Sequence, residues 1–130
     1  MADEAERVPE GEIYVRTLAM PDALNAYGDV FGGWLLSQMD IACGMAARDY
    51  TRGRAVTVAV DAMHFHKPMH LGEILACHVV VRRMGRTSIT FHVEAWVYRP
   101  ASSIRELITE GDYVFVAIDE DRKPREIPRG

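Results

Sequence analysis

The chain has 130 residues, of which 48% are hydrophobic and 26% charged, a balance that suits one folded domain with a substantial core and excludes pervasive disorder or a fibrous repeat. Its formal net charge of -4 runs against a general phosphate-backbone binder, so nucleic acid is not an expected partner. Two cysteines, Cys43 and Cys77, are too few for a disulfide framework and fit a reducing cytoplasm. The first residues are acidic and no apolar run reaches membrane-spanning length, so neither a signal peptide nor a membrane partner is expected.

Residues 1–11 are polar, contain Pro9 and Gly11, and read as a flexible tail. Ile13 to Leu18 suits a first strand, ended near Met20-Pro21. The turn formers Asp22, Asn25, Gly28 and Asp29 then deliver the chain to Gly32-Gly33. From Trp34 the apolar positions Leu35, Leu36, Met39, Ala42, Cys43, Ala46 and Ala47 recur at helical spacing, which predicts a helix of about five turns. Because it is apolar on nearly all sides, this helix is expected to be buried.

After the helix the period changes to two. Ala55 to Phe65, Glu73 to Arg83, Thr87 to Tyr98 and Leu107 to Ile118 are rich in β-branched and aromatic residues and read as strands. Their links are short, with Met84-Gly85-Arg86 as a tight hairpin, and short links favour antiparallel neighbours. The expected fold is α+β: a five-stranded, mostly antiparallel sheet wrapped around one long central helix. One domain covers residues 12–119, and residues 120–130, with Pro124 and Pro128, read as an extended tail.

A single charge interrupts the apolar helix, Asp40. Burying an unpaired carboxylate costs several kcal/mol or more, so Asp40 must be neutralised, hydrogen-bonded or employed. No Gly-x-Ser-x-Gly elbow, P-loop or Gly-x-Gly-x-x-Gly is present. Ser37, one turn earlier, has no neighbouring base and reads as a hydroxyl satisfying a backbone carbonyl. His64, His66 and His70 have an H-x-H-x3-H spacing, but no carboxylate or cysteine clusters with them and no metal is expected. His78 and His92 are single strand residues without an assigned role. Gly44, one turn after Asp40, lets a backbone or ligand approach closely or simply packs helix to sheet.

Eight residues separate Gly32 from Asp40, about 12 Å of helix axis, and helical side chains lean towards the N-terminus. Asp40 thus points towards the open amides of Gly32 and Gly33. Helix-start N–H groups form an oxyanion trap, and a carboxylate nearby activates water or attacks directly, which together describe hydrolysis of an activated acyl group. The same residues also accommodate a silent Asp40, hydrogen-bonded across an interface. Spacing does not separate the two.

The stretch Met-Pro-Asp-Ala-Leu-Asn-Ala-Tyr-Gly-Asp-Val-Phe-Gly-Gly-Trp-Leu-Leu-Ser-Gln-Met-Asp, residues 20–40, resembles the hallmark of YciA-like acyl-CoA thioesterases of the hotdog superfamily. Further matches lie at residues 56–61, 65–72, 85–88, 109–111 and 115–119, so the resemblance covers about residues 13–128. It implies a helix wrapped by a curved antiparallel sheet, protomers paired as a homodimer, and assembly into a hexamer as a trimer of dimers. It implies cleavage of acyl-CoA to a free acid and CoA without a metal or prosthetic group, coenzyme A being part of substrate and product. By position, Asp40 would be the general base or nucleophile, Asn25 of the facing subunit would orient water or thioester, and the Gly32 region would hold the carbonyl oxygen. The usual Met-Pro-x-Asp-x-Asn is altered here, with Asp22 one residue early and Ala23 in the acidic position.

The CoA phosphates need cations and donors, which Arg83, Arg86, Thr87 and Ser88 at the hairpin and Lys67 would supply. Trp34, Met39 and Met63 would border an acyl tunnel or pack the core. Two rival readings are a non-catalytic acyl-CoA-binding hotdog protein and a hotdog dehydratase or hydratase. The latter would need a histidine at the helix or its entry, and residues 20–50 contain none.

Overall fold

The computed structural model describes residues 7–129. Strand β1 spans Glu12–Leu18, β2 Ala55–Phe65, β3 Ile74–Met84, β4 Ser88–Arg99 and β5 Ile104–Ala117, with helix α1 at Gly32–Thr51 and a short 3-10 turn at Pro21–Ala23. Every pairing is antiparallel and the sheet order is β1-β3-β4-β5-β2. The two strands that flank the helix in sequence therefore stand at opposite edges of the sheet, and α1 crosses its inner face between them. This is the five-stranded, single-helix arrangement expected from the periodicities. β5 starts at Ile104, before the expected Leu107, because Ile104, Arg105 and Glu106 continue the pairing with Arg99, Tyr98 and Val97.

The core lies between one face of α1 and the inner face of the sheet. Leu35, Met39, Ala42, Cys43, Ala46 and Ala47 pack onto Phe91, Val93, Ala95, Tyr113 and Phe115, all buried. Alternate strand residues supply this layer, as a sheet with one covered face requires. The expectation that the helix is buried on nearly all sides does not hold within the single chain: Ile41 remains 47% and Met45 46% exposed. One sheet covers only one side of a helical cylinder, so the opposite apolar side is left open. Cys43 and Cys77 are buried free thiols. Burial pushes Cys77 up to about 12, and burial with Cys77 and Asp40 nearby raises Cys43 well above the ordinary thiol range.

Strand β2 carries two bulges. Its register shifts between Thr57 and Ala59 and again between Asp61 and His64, and Ala62 takes a left-handed φ of 50° within the second. The first keeps Thr57 and Val60 on one face although three residues apart; the second folds Met63 over Gly111.

The outer face of the sheet is polar. Glu94 and Glu110 stand directly opposite one another on β4 and β5, and Arg7 bridges them at 3.0 and 3.1 Å. Glu94 is also bonded by Trp96 Nε1 at 2.8 Å and by the Glu10 amide at 3.2 Å, and His78 Nδ1–H donates to the Gly11 carbonyl at 3.0 Å. Residues 7–11 thus lie across the sheet, while residues 1–6 of the expected tail fall outside the described residues. Burial alone would raise the Glu110 carboxyl, but bonds from Arg7 and His66, the Arg7 charge and a bond from His92 outweigh it and hold it at about 2. At the other terminus the chain turns at residues 120–122 and folds back, with Pro124 bridged to Ile118 and Ile127 buried, its amide donating to the Arg86 carbonyl at 2.9 Å.

Candidate active site

Asp40 sits in the third turn of α1, half-buried. The hydroxyl of Thr57, on β2, donates to its Oδ1 at 2.7 Å. Both residues line a mainly apolar cavity of about 300 Å³ with Leu36, Ser37, Val60 and Tyr113. The Tyr113 hydroxyl donates to the Leu36 carbonyl at 2.7 Å. Ser37 turns back to the Trp34 carbonyl at 2.7 Å, the backbone-satisfying role expected of a helical serine without a base. No described donor reaches the second oxygen of Asp40.

The start of α1 is uncapped. Phe31 precedes it without a side-chain bond, and the first amides to reach the Phe31 carbonyl are those of Trp34 at 3.1 Å and Leu35 at 3.5 Å. The amides of Gly32 and Gly33 are therefore left as orphan donors at the positive end of the helix. Beside Gly32 lies a second cavity of about 250 Å³, lined also by Val30, Leu35, Phe65, His66, Lys67 and Pro68. A Cβ at Gly32 would come within 3.2 Å of the Phe65 ring, so glycine keeps this approach to the helix start open.

Asn25 is exposed and lines neither cavity within the single chain. Its Oδ1 accepts from the amides of Tyr27 at 2.8 Å and Asp29 at 3.1 Å, an Asx turn that fixes the side chain and leaves its NH₂ pointing away from these bonds. Asp29 in turn accepts from His70 Nδ1 at 3.0 Å, and the Val30 amide reaches the Met69 carbonyl at 2.9 Å, so the loop is tied to residues 66–72.

The hairpin that joins β3 and β4 is closed by the Gly85 amide on the Ser88 carbonyl at 2.8 Å. Arg83 and Arg86 are exposed there, Thr87 and Ser88 half-buried, and no described carboxylate pairs with either arginine. Lys67 is instead ion-paired with Glu106. Met39 is a core residue, and Trp34 and Met63 pack against the core, so of the two readings for these three the packing one describes their contacts. His64, His66 and His70 form no metal-spaced group: His64 and His66 stack at 6.0 Å and His70 binds Asp29. Among the described residues His92, Glu94 and Glu110 do place ligand atoms within 4.8 Å of one another, with the Arg7 guanidinium already bridging the two carboxylates.

Thr57 and Tyr113 are the site residues that sequence reasoning missed. Each looks like an ordinary strand residue: Thr57 faces inward in step with Ala55, and the bulge that follows it brings Val60 to the same face.

The family model described as Thioesterase superfamily matches residues 27–102, from the Asn25 loop's far side through α1, β2, β3 and β4. The chain belongs to this superfamily. Among thioesterase relatives, it is 44% identical over 126 residues to the acyl-CoA thioester hydrolase YciA of Salmonella typhimurium, covering 95% of each chain. It is 43% identical to the hexameric thioesterase y2039 from Yersinia pestis, with a TM-score of 0.90 over 94% of this chain and 100% of that one. A hexameric hotdog fold thioesterase of Campylobacter jejuni, Cj0915, is 34% identical with a TM-score of 0.84, covering 91% of both. The fold of the chain is accordingly the hotdog fold of these thioesterases.

Proposed function

We propose that the protein hydrolyses acyl-CoA thioesters to a free carboxylic acid and CoA, with Asp40 as the reacting carboxylate. The observation that carries this is Asp40 itself, gripped on one oxygen by Thr57 and open on the other, on the wall of an apolar cavity in the same helix as an uncapped N-terminus. An acyl chain fits such walls, and the thioester carbonyl needs the donors that Gly32 and Gly33 offer. As general base, Asp40 takes a proton from water, the hydroxide adds to the thioester carbonyl, and the C–S bond breaks as Asp40 returns the proton to the departing sulfur, releasing CoA thiol and the free acid. As nucleophile, it adds to the thioester carbonyl, the C–S bond breaks to expel CoA as thiolate that takes up a proton, and water opens the resulting mixed anhydride to the free acid, the aspartate being restored. Neither route uses a resident metal or prosthetic group. The names of the thioester hydrolase relatives support the substrate class.

Asn25 completes the site from a facing subunit, where its uncommitted NH₂ orients water or the thioester, and Arg83, Arg86, Thr87 and Ser88 take the CoA phosphates with Lys67 as a further contact. The exposed apolar side of α1 and the free edge of β2 are where the second copy pairs, and three such dimers make the hexamer, a reading supported by the hexameric state of the thioesterases from Yersinia pestis and Campylobacter jejuni. No helix among the described residues is long and apolar enough to cross a membrane, and buried free thiols suit a reaction in the cytoplasm. The test is thiol release from acyl-CoAs of two to sixteen carbons by wild type and Asp40→Asn. Turnover in wild type and a loss of about a hundredfold or more in a folded Asp40→Asn are expected. A folded variant with near-normal turnover refutes the assignment of Asp40. Tight binding without thiol release refutes the hydrolase.

A further inference from the structure

The Asp40 cavity contains one buried titratable group that the reaction does not use, Tyr113. Its hydroxyl donates to the Leu36 carbonyl at 2.7 Å, and Leu36 is the residue four before Asp40. In an α-helix that carbonyl is the acceptor for the N–H of Asp40 itself. Tyr113 therefore grips, from strand β5, the backbone turn on which Asp40 stands, while Thr57 grips the side chain from β2. The phenol is 1% exposed. Burial, with Cys43 and Asp40 as neighbours, raises it far above its ordinary value, so it stays protonated and remains a donor. Val60 and Phe91 stand opposite Tyr113 on the two flanking strands, which fixes the ring between neighbours and removes its freedom to swing away.

We propose that Tyr113 is a positioning residue for the thioesterase reaction: its hydroxyl, through the Leu36 carbonyl, sets where the Asp40 carboxylate is presented to the thioester. This rests on the reading of Asp40 as the reacting group. A carboxylate on one helix turn is free to drift with that turn, and a displacement of about 1 Å at a reacting group costs up to about a hundredfold in rate. With two anchors on different strands, the turn and the side chain are fixed independently. Both anchors also line the cavity that takes the acyl chain, so the test has to delete the hydroxyl and keep the wall.

Tyr113→Phe tests this, since it keeps the ring and deletes only the donor. The expected result is a fall in kcat of about five- to fiftyfold with KM within about twofold of wild type and a melting temperature lowered by no more than a few degrees. In the Asp40→Asn background the same change is expected to cause no further loss, because an anchor has nothing left to position. An unchanged kcat overturns the proposal, as does equal deterioration of kcat, KM and thermal stability, which marks a packing role. A full, multiplicative loss on top of Asp40→Asn also overturns it. Should Asp40→Asn alone keep normal turnover, the reading of the active site fails and this proposal with it, whereas an inactive Asp40→Asn beside a normal Tyr113→Phe removes the positioning role alone. Tyr113→Leu, which loses ring and donor together, is expected to unfold at lower temperature than Tyr113→Phe and so calibrates the packing contribution.

Discussion

Thr57 takes one oxygen of Asp40, and this gives the residue its particular character: a half-buried carboxylate fixed in orientation yet with an oxygen to offer. Its counterpart on the outer face, Glu110, has every oxygen engaged, by Arg7, His66 and His92. The two carboxylates illustrate how environment assigns roles, one left open beside a cavity and one spent on holding strands and the N-terminal segment together. Glu110 gives a pH prediction. Its folded value of about 2 lies below the ordinary 4.5, so the protonated form favours the unfolded chain. The stabilisation is complete above about pH 4.5 and is lost as pH falls towards 2. Arg7→Ala removes a main cause of the depression. Thermal melts from pH 7 to 2.5 are expected to show a wild-type advantage over this variant that is full near neutrality and narrows through that acid window. A constant advantage across the range would contradict the assignment.

At the scale of elements, β2 decides the site. Gly111 is where β5 makes room for the second bulge: a Cβ there would sit 2.5 Å from Met63 Cε and 3.1 Å from Met63 Cα. The methionine end can swing aside but its backbone cannot, so Gly111→Ala is expected to cost about 1–3 kcal/mol in urea unfolding, with Met63→Ala recovering only the side-chain part. Strand existence, order of elements and the helix were legible because their periods run unbroken for many residues. The inward set of β2 was not, since strict alternation from Ala55 would carry Asp61 to the face of Thr57, and two register shifts reassign that face. Asp40, Gly32 and Gly33 stood out as a lone charge and a glycine pair on a helix, but their expected convergence does not show within one chain, where Asp40 and Gly32 line separate cavities. Thr57 and Tyr113 were hidden because each owes its role to a partner far away in sequence. The helix was read as buried all round for a related reason: hydrophobic pattern records what must be covered, not which chain covers it.

For the whole molecule, the open side of α1 and the edge of β2 matter most. Val58 at that edge is 55% exposed, with Val56 and Val60 on either side, and an apolar edge strand invites pairing with another chain. Val58→Lys places a charge where a second copy would dock. Light scattering after gel filtration is expected to show loss of the assembled form, and thiol release is expected to fall with it because Asn25 would no longer be supplied by a neighbour. A folded, monomeric variant with full turnover would show that one chain suffices.

The two cysteines add a practical property to this enzyme. Both are inside the core, and their thiols are shifted far from the reactive thiolate form at neutral pH. A disulfide-based thiol reagent therefore leaves the native protein silent, and colour developed during turnover counts coenzyme product alone. The same reagent registers a chain that opens, with up to two equivalents appearing on full denaturation. Catalysis and integrity of each variant can thus be followed in one cuvette, the slow protein signal reporting unfolding beneath the fast signal of the product.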